Sequence, residues 1–466
     1  MDQRTDRAAG DTGAGIAEAA AAALPNQFAL LRTRRFLPLF LVQFLGAFND
    51  QVYQKAFVAL VTYRLAEQVD IPIALLGVIA SGLFILPFAI VTPTAGQIAD
   101  RVDKAKMLRW VKFSEIVVMC FAVVGFHLQN IVFLYVVLFF MGAQSAMFAP
   151  IKYSVLPQYL KREELVGGNG LVQAFTFLAI IFGAIAGNEL ILNDFGVTVV
   201  SVFVMAVAVA GFVASLYALP APPLGEAEPV DPLFPRAIWR LIARSRAEKP
   251  AFRAILAIAW FWFLGATFLS LLPAYARDQL GADEGVLTVL LTGFSVGVAL
   301  GALASERLSG GRIGVAVPPV GALGIAALGA ELWLATATAP VPPPGALFDR
   351  AAFFSTAAGW RILLDFALLA AFAGLYVTPL NAVLQAASPE ARRARFIACS
   401  NVVDAACMVG SAALVALFVA LGLRAIDVLA LFSLSALPMA VAVARYAPDT
   451  RLGRIALSAF PRSPSD

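Results

Sequence analysis

Histidine and cysteine are nearly missing from this sequence: its 466 residues hold one histidine, His127, and three cysteines, Cys120, Cys399 and Cys407. A membrane acyltransferase of the His-x4-Asp kind needs an aspartate five residues after its histidine base; Val132 stands there instead. No GxxxxGK[ST] stretch is present to cradle the phosphates of ATP. All three cysteines fall in apolar runs, where they read as free core thiols and not as disulfide partners or metal ligands. Charge is scarce too, at 14% of residues, where a soluble domain carries about 25%. These absences argue against an enzyme, a primary pump and a bound metal or cofactor. The net charge of +4 sits mostly in loops and gives no reason to expect nucleic-acid binding.

What the chain has is apolar length. Hydrophobic residues make up 61% of it, in about twelve runs long enough to cross a hydrocarbon core of roughly 30 Å at 1.5 Å of helix rise per residue. The runs begin with 37–63 and end with 425–445. An all-α, multi-pass membrane protein with twelve transmembrane helices is expected. Basic residues alternate between loops. One side collects Arg101, Lys104, Lys106, Arg109, Lys161, Arg162, Arg236, Arg240, Arg244, Arg307, Arg312, Arg392, Arg393 and Arg395, and the other holds little beyond Arg64, Arg277, Arg350 and Arg424. The positive-inside rule then puts both termini in the cytoplasm. Residues 1–35 read as a disordered cytoplasmic tail, 36–219 as a first six-helix bundle, 220–250 as a cytoplasmic linker, 251–446 as a second bundle and 447–466 as a second tail. Within the linker, 233–246 fits a basic helix on the inner membrane surface, or equally a solvated connection. The loop 338–360 carries VPPP and no readable role.

The stretch 36–65 organises the rest. Asp50 lies near its middle, and Gln43, Ala47, Asp50 and Gln54 follow at steps of four, three and four, on one helix face. A carboxylate at that depth costs several kcal/mol unless it meets a wet cavity or a partner. A hydrogen-bonded seam between helices is one reading of the stripe; a transport-site carboxylate is the favoured one. Further polar positions inside runs are Gln144, Ser145 and Lys152 in the fourth, Asn169, Gln173 and Thr176 in the fifth, Asn381 and Gln385 in the tenth, and Asn401 and Asp404 in the eleventh. Lys152 lies between Pro150 and Pro157, where a broken helix would bare carbonyls to a cavity; snorkelling to the surface is its alternative. Lys112 and Glu115, early in the third run, read as ordinary interfacial residues. Arg361 and Asp365 have the spacing of an i,i+4 pair. Gly293, Gly297 and Gly301, and Gly183 and Gly187, form small faces that let helices approach and slide.

The two halves repeat one loop: GQIADRVDKAK after run two answers GALASERLSGGRIG after run eight. The first resembles the loop motif of the major facilitator superfamily, G-x-L-A-D-R-x-G-R-K, with Gly96, Ala99, Asp100, Arg101 and Lys104 matching and Asp103 in place of the second glycine. The resemblance implies the major facilitator fold, two pseudo-symmetric six-helix halves, and a gating role for Gly96, Asp100, Arg101 and Lys104. VQFLGAFNDQVYQKA, FAPIKYSVLPQYL, LVGGNGLVQAFTFLAIIFGAIAG and YVTPLNAVLQ are further similar to bacterial lysophospholipid transporters, and WFWFLGATFLSLLPAYARDQLG to the transporter part of fused acyltransferase/acyl-carrier-protein synthetase proteins. That resemblance implies an inner-membrane flippase moving lysophosphatidylethanolamine and its kin from outer to inner leaflet, where an acyltransferase partner re-acylates them. Unfused relatives carry a basic residue in helix seven, where this chain has Phe268 and Leu269. The substrate-binding candidates are Asp50, Gln54, Lys152, Asn169, Gln173, Asn381 and Asp404: Asp50 for an ammonium, Lys152 for a phosphate, and the aromatic wall of helix seven for the acyl chain. A proton-coupled exporter of drugs or amphipathic metabolites, with Asp50 as proton carrier, is the alternative.

Overall fold

Inside a bilayer a segment must satisfy its own backbone N–H and C=O groups, so the spanning runs have one regular option. The computed structural model describes residues 26–65, 73–225, 229–231, 233–340, 342 and 346–446. Its long helices are α1 (Leu37–Arg64), α2 (Ile73–Ala99), α3 (Lys104–Leu128), α4 (Ile131–Tyr159), α5 (Leu165–Leu192) and α6 (Gly196–Leu216) in the first half. The second half holds α7 (Lys249–Ala274), α8 (Glu284–Ser309), α9 (Pro318–Ala337), α10 (Ala357–Ala387), α11 (Arg393–Ala420) and α12 (Ala425–Ala444). Helix α12 is interrupted at Ser435.

Eleven of these are long and apolar enough to cross a membrane. Helix α1 is not among them, because Gln43, Asn49, Asp50, Gln51 and Gln54 dilute its hydropathy. It is tolerated because protein surrounds it: α1 packs along α5 and α6, and Val42, Asn49, Val52, Tyr53 and Leu60 are fully enclosed.

The linker and the short loops after α2, α4, α8 and α10 share one end of the bundle, termed the linker end below. There the halves meet, α2 and α4 on α11 and α5 on α8 and α10. Gly96 and Gly170 allow the approach: a Cβ at Gly96 would lie 2.5 Å from that of Ala398, and one at Gly170 2.7 Å from the Ala302 carbonyl oxygen. The longer glycine ladders do something else. Gly297 and Gly301 press on the Ala367 and Ala371 carbonyls of α10, and Gly183 and Gly187 on those of Phe48 and Val52 in α1. They lock helices within each half and are no sliding seam between halves.

Three other expectations change. Residues 26–35, placed in a disordered tail, are folded: Gln27–Arg32 forms a 3-10 turn with Gln27 and Leu30 buried. Residues 1–25 and the tail 447–466 lie outside the described residues. Helix α4 runs unbroken through Pro150 and Pro157. The rings of α7 mostly face their own half: Phe261 and Phe268 are buried, Phe268 stacks on Phe294 and edges Phe366, and Trp260 donates to the Ser435 hydroxyl. They are not a wall toward the first half. In the linker, Phe234–Ser245 is a helix seated on Ala237, Leu241 and Ser245, with Trp239 exposed and Arg240 paired to Asp231 at 2.7 Å.

Candidate functional site

The polar centre of the first half is built on α3. Lys112 and Glu115 stand one turn apart, so their side chains meet on one face; Lys112 Nζ lies 2.6 Å from Glu115 Oε2, and both side chains are at most 2% exposed. They are core residues, not interfacial ones. Glu115 is a hub. Its Oε1 accepts from Asn49 Nδ2 of α1 at 3.0 Å, and its Oε2 from Gln144 Nε2 of α4 at 3.2 Å. Gly46 of α1 leaves the space that Lys112 Nζ occupies, 2.5 Å from where a Cβ would lie.

One residue further along α4, Ser145 Oγ lies 2.5 Å from Asp50 Oδ2 and 3.1 Å from Gln144 Oε1. Asp50 sits 13 residues into α1, roughly 20 Å of helix from its start. Its other oxygen, Oδ1, is enclosed with no hydrogen-bond donor among the described residues. Lys112 and Lys152 attract this carboxylate and Glu115 repels it. Lys152 is half-buried, with its Nζ 4.9 Å from the Tyr153 ring centroid, and no salt bridge or hydrogen bond to it is found among the described residues.

The remaining candidates separate. Tyr153 Oη donates to Gln173 Oε1 at 3.1 Å, and Asp404 of α11 lies close enough to act electrostatically on Tyr153. Thus Lys152, Tyr153, Gln173 and Asp404 share one neighbourhood. Asp404 is buried, with a weak 3.5 Å bond from Ser400 and an Oδ1 that has no partner among the described residues. Asn381 is half-buried and bonds the Val377 carbonyl of its own helix at 3.3 Å. Gln54 is buried on α1, one turn beyond Asp50. Gln43 spans to Thr176 of α5 at 2.8 Å, so that part of the stripe is a seam. Asn169 departs from expectation: it exchanges two amide bonds with Gln385 of α10, at 2.8 and 2.9 Å, and so ties the halves together near the linker end. Arg361 also departs. Its partner is Glu331 of α9 at 2.5 Å, while Asp365 Oδ2 is buried without one.

A family model described as Major Facilitator Superfamily matches residues 39–360. The chain belongs to the major facilitator superfamily. It is a transporter, with no enzyme's machinery required of it. Among curated proteins it is 29% identical over 293 residues to the lysophospholipid transporter LplT of Serratia proteamaculans, covering 61% of this chain and 68% of that one. The lysophospholipid transporter LplT of Yersinia enterocolitica is 27% identical over 293 residues, covering 59% and 66%. The matched stretch thus spans about two thirds of these relatives. Among solved structures, a bacterial homologue of the iron transporter ferroportin in its outward-facing state superposes with a TM-score of 0.64 at 16% identity, covering 88% of this chain and 98% of that one. The Escherichia coli fucose:proton symporter FucP gives 0.61 at 14%, covering 89% and 99%. Both share the fold.

The superfamily loop motif joins the two halves at the linker end. Asp100 accepts from the backbone N–H groups of Ala394 at 2.9 Å and Arg395 at 3.1 Å, capping α11 in the other half, with Arg395 Nε 3.8 Å away. A carboxylate on a helix N-terminus is favoured by the exposed N–H groups and the dipole. Burial still dominates and pushes the Asp100 carboxyl up to about 6. Asp103, which replaces the motif's second glycine, caps α3 through the N–H groups of Ala105 and Lys106 and accepts from Ala221, anchoring the start of the linker. Lys104 is buried between Asp100 and Asp103. Arg101 is exposed.

Proposed function

We propose that this transporter moves lysophospholipids, lysophosphatidylethanolamine among them, from the outer to the inner leaflet of a bacterial inner membrane by alternating access. The cargo rests on one observation, the likeness over 293 residues to relatives named lysophospholipid transporters. The chemistry agrees with it. A lysophosphatidylethanolamine headgroup carries an ammonium and a phosphate, and α1 and α4 hold Asp50, with a donor-less oxygen, and Lys152, without a carboxylate partner at bonding distance. Opposite charges left open inside an apolar bundle suit a cargo with both signs. Asp404, Gln173 and Tyr153 border the Lys152 side, and the acyl chain lies along apolar helix surface.

The basic loops cluster at the linker end, so the positive-inside rule makes that end and both termini cytoplasmic. The described state is then shut toward the cytoplasm by Asp100 on α11. Lipid delivered inside becomes substrate for a separate acyltransferase with its acyl-carrier-protein synthetase. The test is uptake of labelled lysophosphatidylethanolamine into spheroplasts lacking their own lysophospholipid transporter, read as conversion to the diacyl lipid. Wild type restores conversion, and the Asp50→Ala, Lys152→Ala double variant does not. No uptake by well-expressed wild type overturns the cargo and favours a proton-coupled exporter; uptake by the double variant overturns the site.

A further inference from the structure

Asp50 is served by a chain of groups whose polarity is set from α3. Ser145 has one hydroxyl hydrogen and two acceptors in reach, Asp50 Oδ2 and Gln144 Oε1. The direction in which Gln144 points is forced. Its Nε2 lies 3.2 Å from Glu115 Oε2, and a carboxylate offers only acceptors, so the amide nitrogen faces Glu115 and the oxygen faces Ser145. Glu115 is itself held by Lys112 and Asn49. Lys112 cannot swing away on the α1 side, since its Nζ already fills the position a Cβ at Gly46 would need.

We infer that the Lys112–Glu115 pair is a positioning unit for Asp50: by locking an amide oxygen, and not an amide N–H, toward Ser145, it makes Asp50 share with Gln144 the one hydrogen of its only donor among the described residues. An enclosed carboxylate oxygen without a donor is a standing cost, and a cargo's ammonium removes it. The inference rests on the reading of Asp50 as the residue that meets that ammonium. Were Glu115 absent, Gln144 would turn its N–H groups toward Ser145, whose hydroxyl would then serve Asp50 alone. Asp50 Oδ2 would then hold the Ser145 hydrogen undivided before the cargo arrived, with Oδ1 still donor-less among the described residues.

This makes substitutions along one chain act in opposite directions, which a merely structural role would not do. In Gln144→Leu, and in the paired Lys112→Met, Glu115→Met change that removes both charges together, Ser145 is freed for Asp50. KM for lysophospholipid uptake rises about fivefold or more with Vmax nearly kept. In Ser145→Ala, Asp50 loses its remaining donor and KM falls. A second readout needs no cargo: modification of Asp50 by a carbodiimide, which reacts with the neutral acid, located by mass spectrometry in the purified full-length protein. It falls in the first two variants and rises in Ser145→Ala. Shifts of one sign in all three, or effects confined to Vmax or protein yield, overturn the inference. Should wild type fail to take up the lipid, the cargo reading falls and the modification pattern alone decides whether the positioning unit stands.

Discussion

The two halves of this transporter share a helix plan and hold their interiors together by different means. The first half buries charge: Lys112, Glu115 and Asp50 lie within a hydrogen-bonded set that joins α1, α3 and α4. The second half buries carboxylates too, Asp365 and Asp404, but neither sits in an ion pair among the described residues; there the helices meet ring on ring, with Phe268 against Phe294 and Phe366. The contrast sets out two ways of joining buried helices: side-chain ion pairs and hydrogen bonds on one side, and contact of rings and backbone on the other.

The same asymmetry shows at the linker end. Asp100 of the first half caps the α11 helix of the second. Its counterpart in the repeated loop, Glu306, accepts from the Gln27 N–H at 3.2 Å, and its Oε1 has no partner among the described residues. The turn ahead of α1 thus does in the second contact what a helix terminus does in the first.

The comparison breaks hardest at Lys112 and Glu115. Either Lys112→Met or Glu115→Leu alone strands a buried charge, at about 3–5 kcal/mol. The expected outcome is loss of folded protein, followed as melting temperature and yield in detergent; the paired neutral change restores most of it. Next comes Asp100. Its folded-state carboxyl titrates near 6, above the ordinary 3.8, chiefly through burial. Its contribution to stability is therefore full below pH 3.8 and lost as pH rises through 6, on the order of 3 kcal/mol. Melting measured across that window falls with rising pH in wild type, and Asp100→Asn flattens the dependence. The smallest effect tests the second half. Gly297→Val forces α8 from α10 and costs about 1–3 kcal/mol by overpacking; calorimetric melting should drop while uptake per folded molecule is retained.

Much was legible in the residues. Helix number and boundaries follow from apolar length, and the superfamily loop at Gly96–Lys104 from its spacing. Asp50 stands out because a carboxylate in mid-span has no ordinary explanation. By sequence Lys112 and Glu115 read as interfacial, because they sit early in the third run, near its inner end. Their i,i+3 spacing was the available signal, but only the packing of α4 and α6 on α3, with Gly46 and Asn49 of α1 against the pair, shows that no solvent reaches them. Asn169 shares a helical face with Gln173, so spacing could not separate the residue that ties the halves from the one beside Tyr153. Arg361 found Glu331 on a neighbouring helix in preference to Asp365 on its own.

Hydrophobic run length and the repeated loop are properties of the chain as a string: the first determined a twelve-helix membrane protein, and the resemblance of the second to a known motif pointed to the major facilitator superfamily. Partnership is a property of space. Which carboxylate meets which amine, which way Gln144 points, and which glycines join helices within a half depend on groups distant in sequence brought within about 3 Å. No spacing along one helix encodes that distance, and only the tertiary structure decided it.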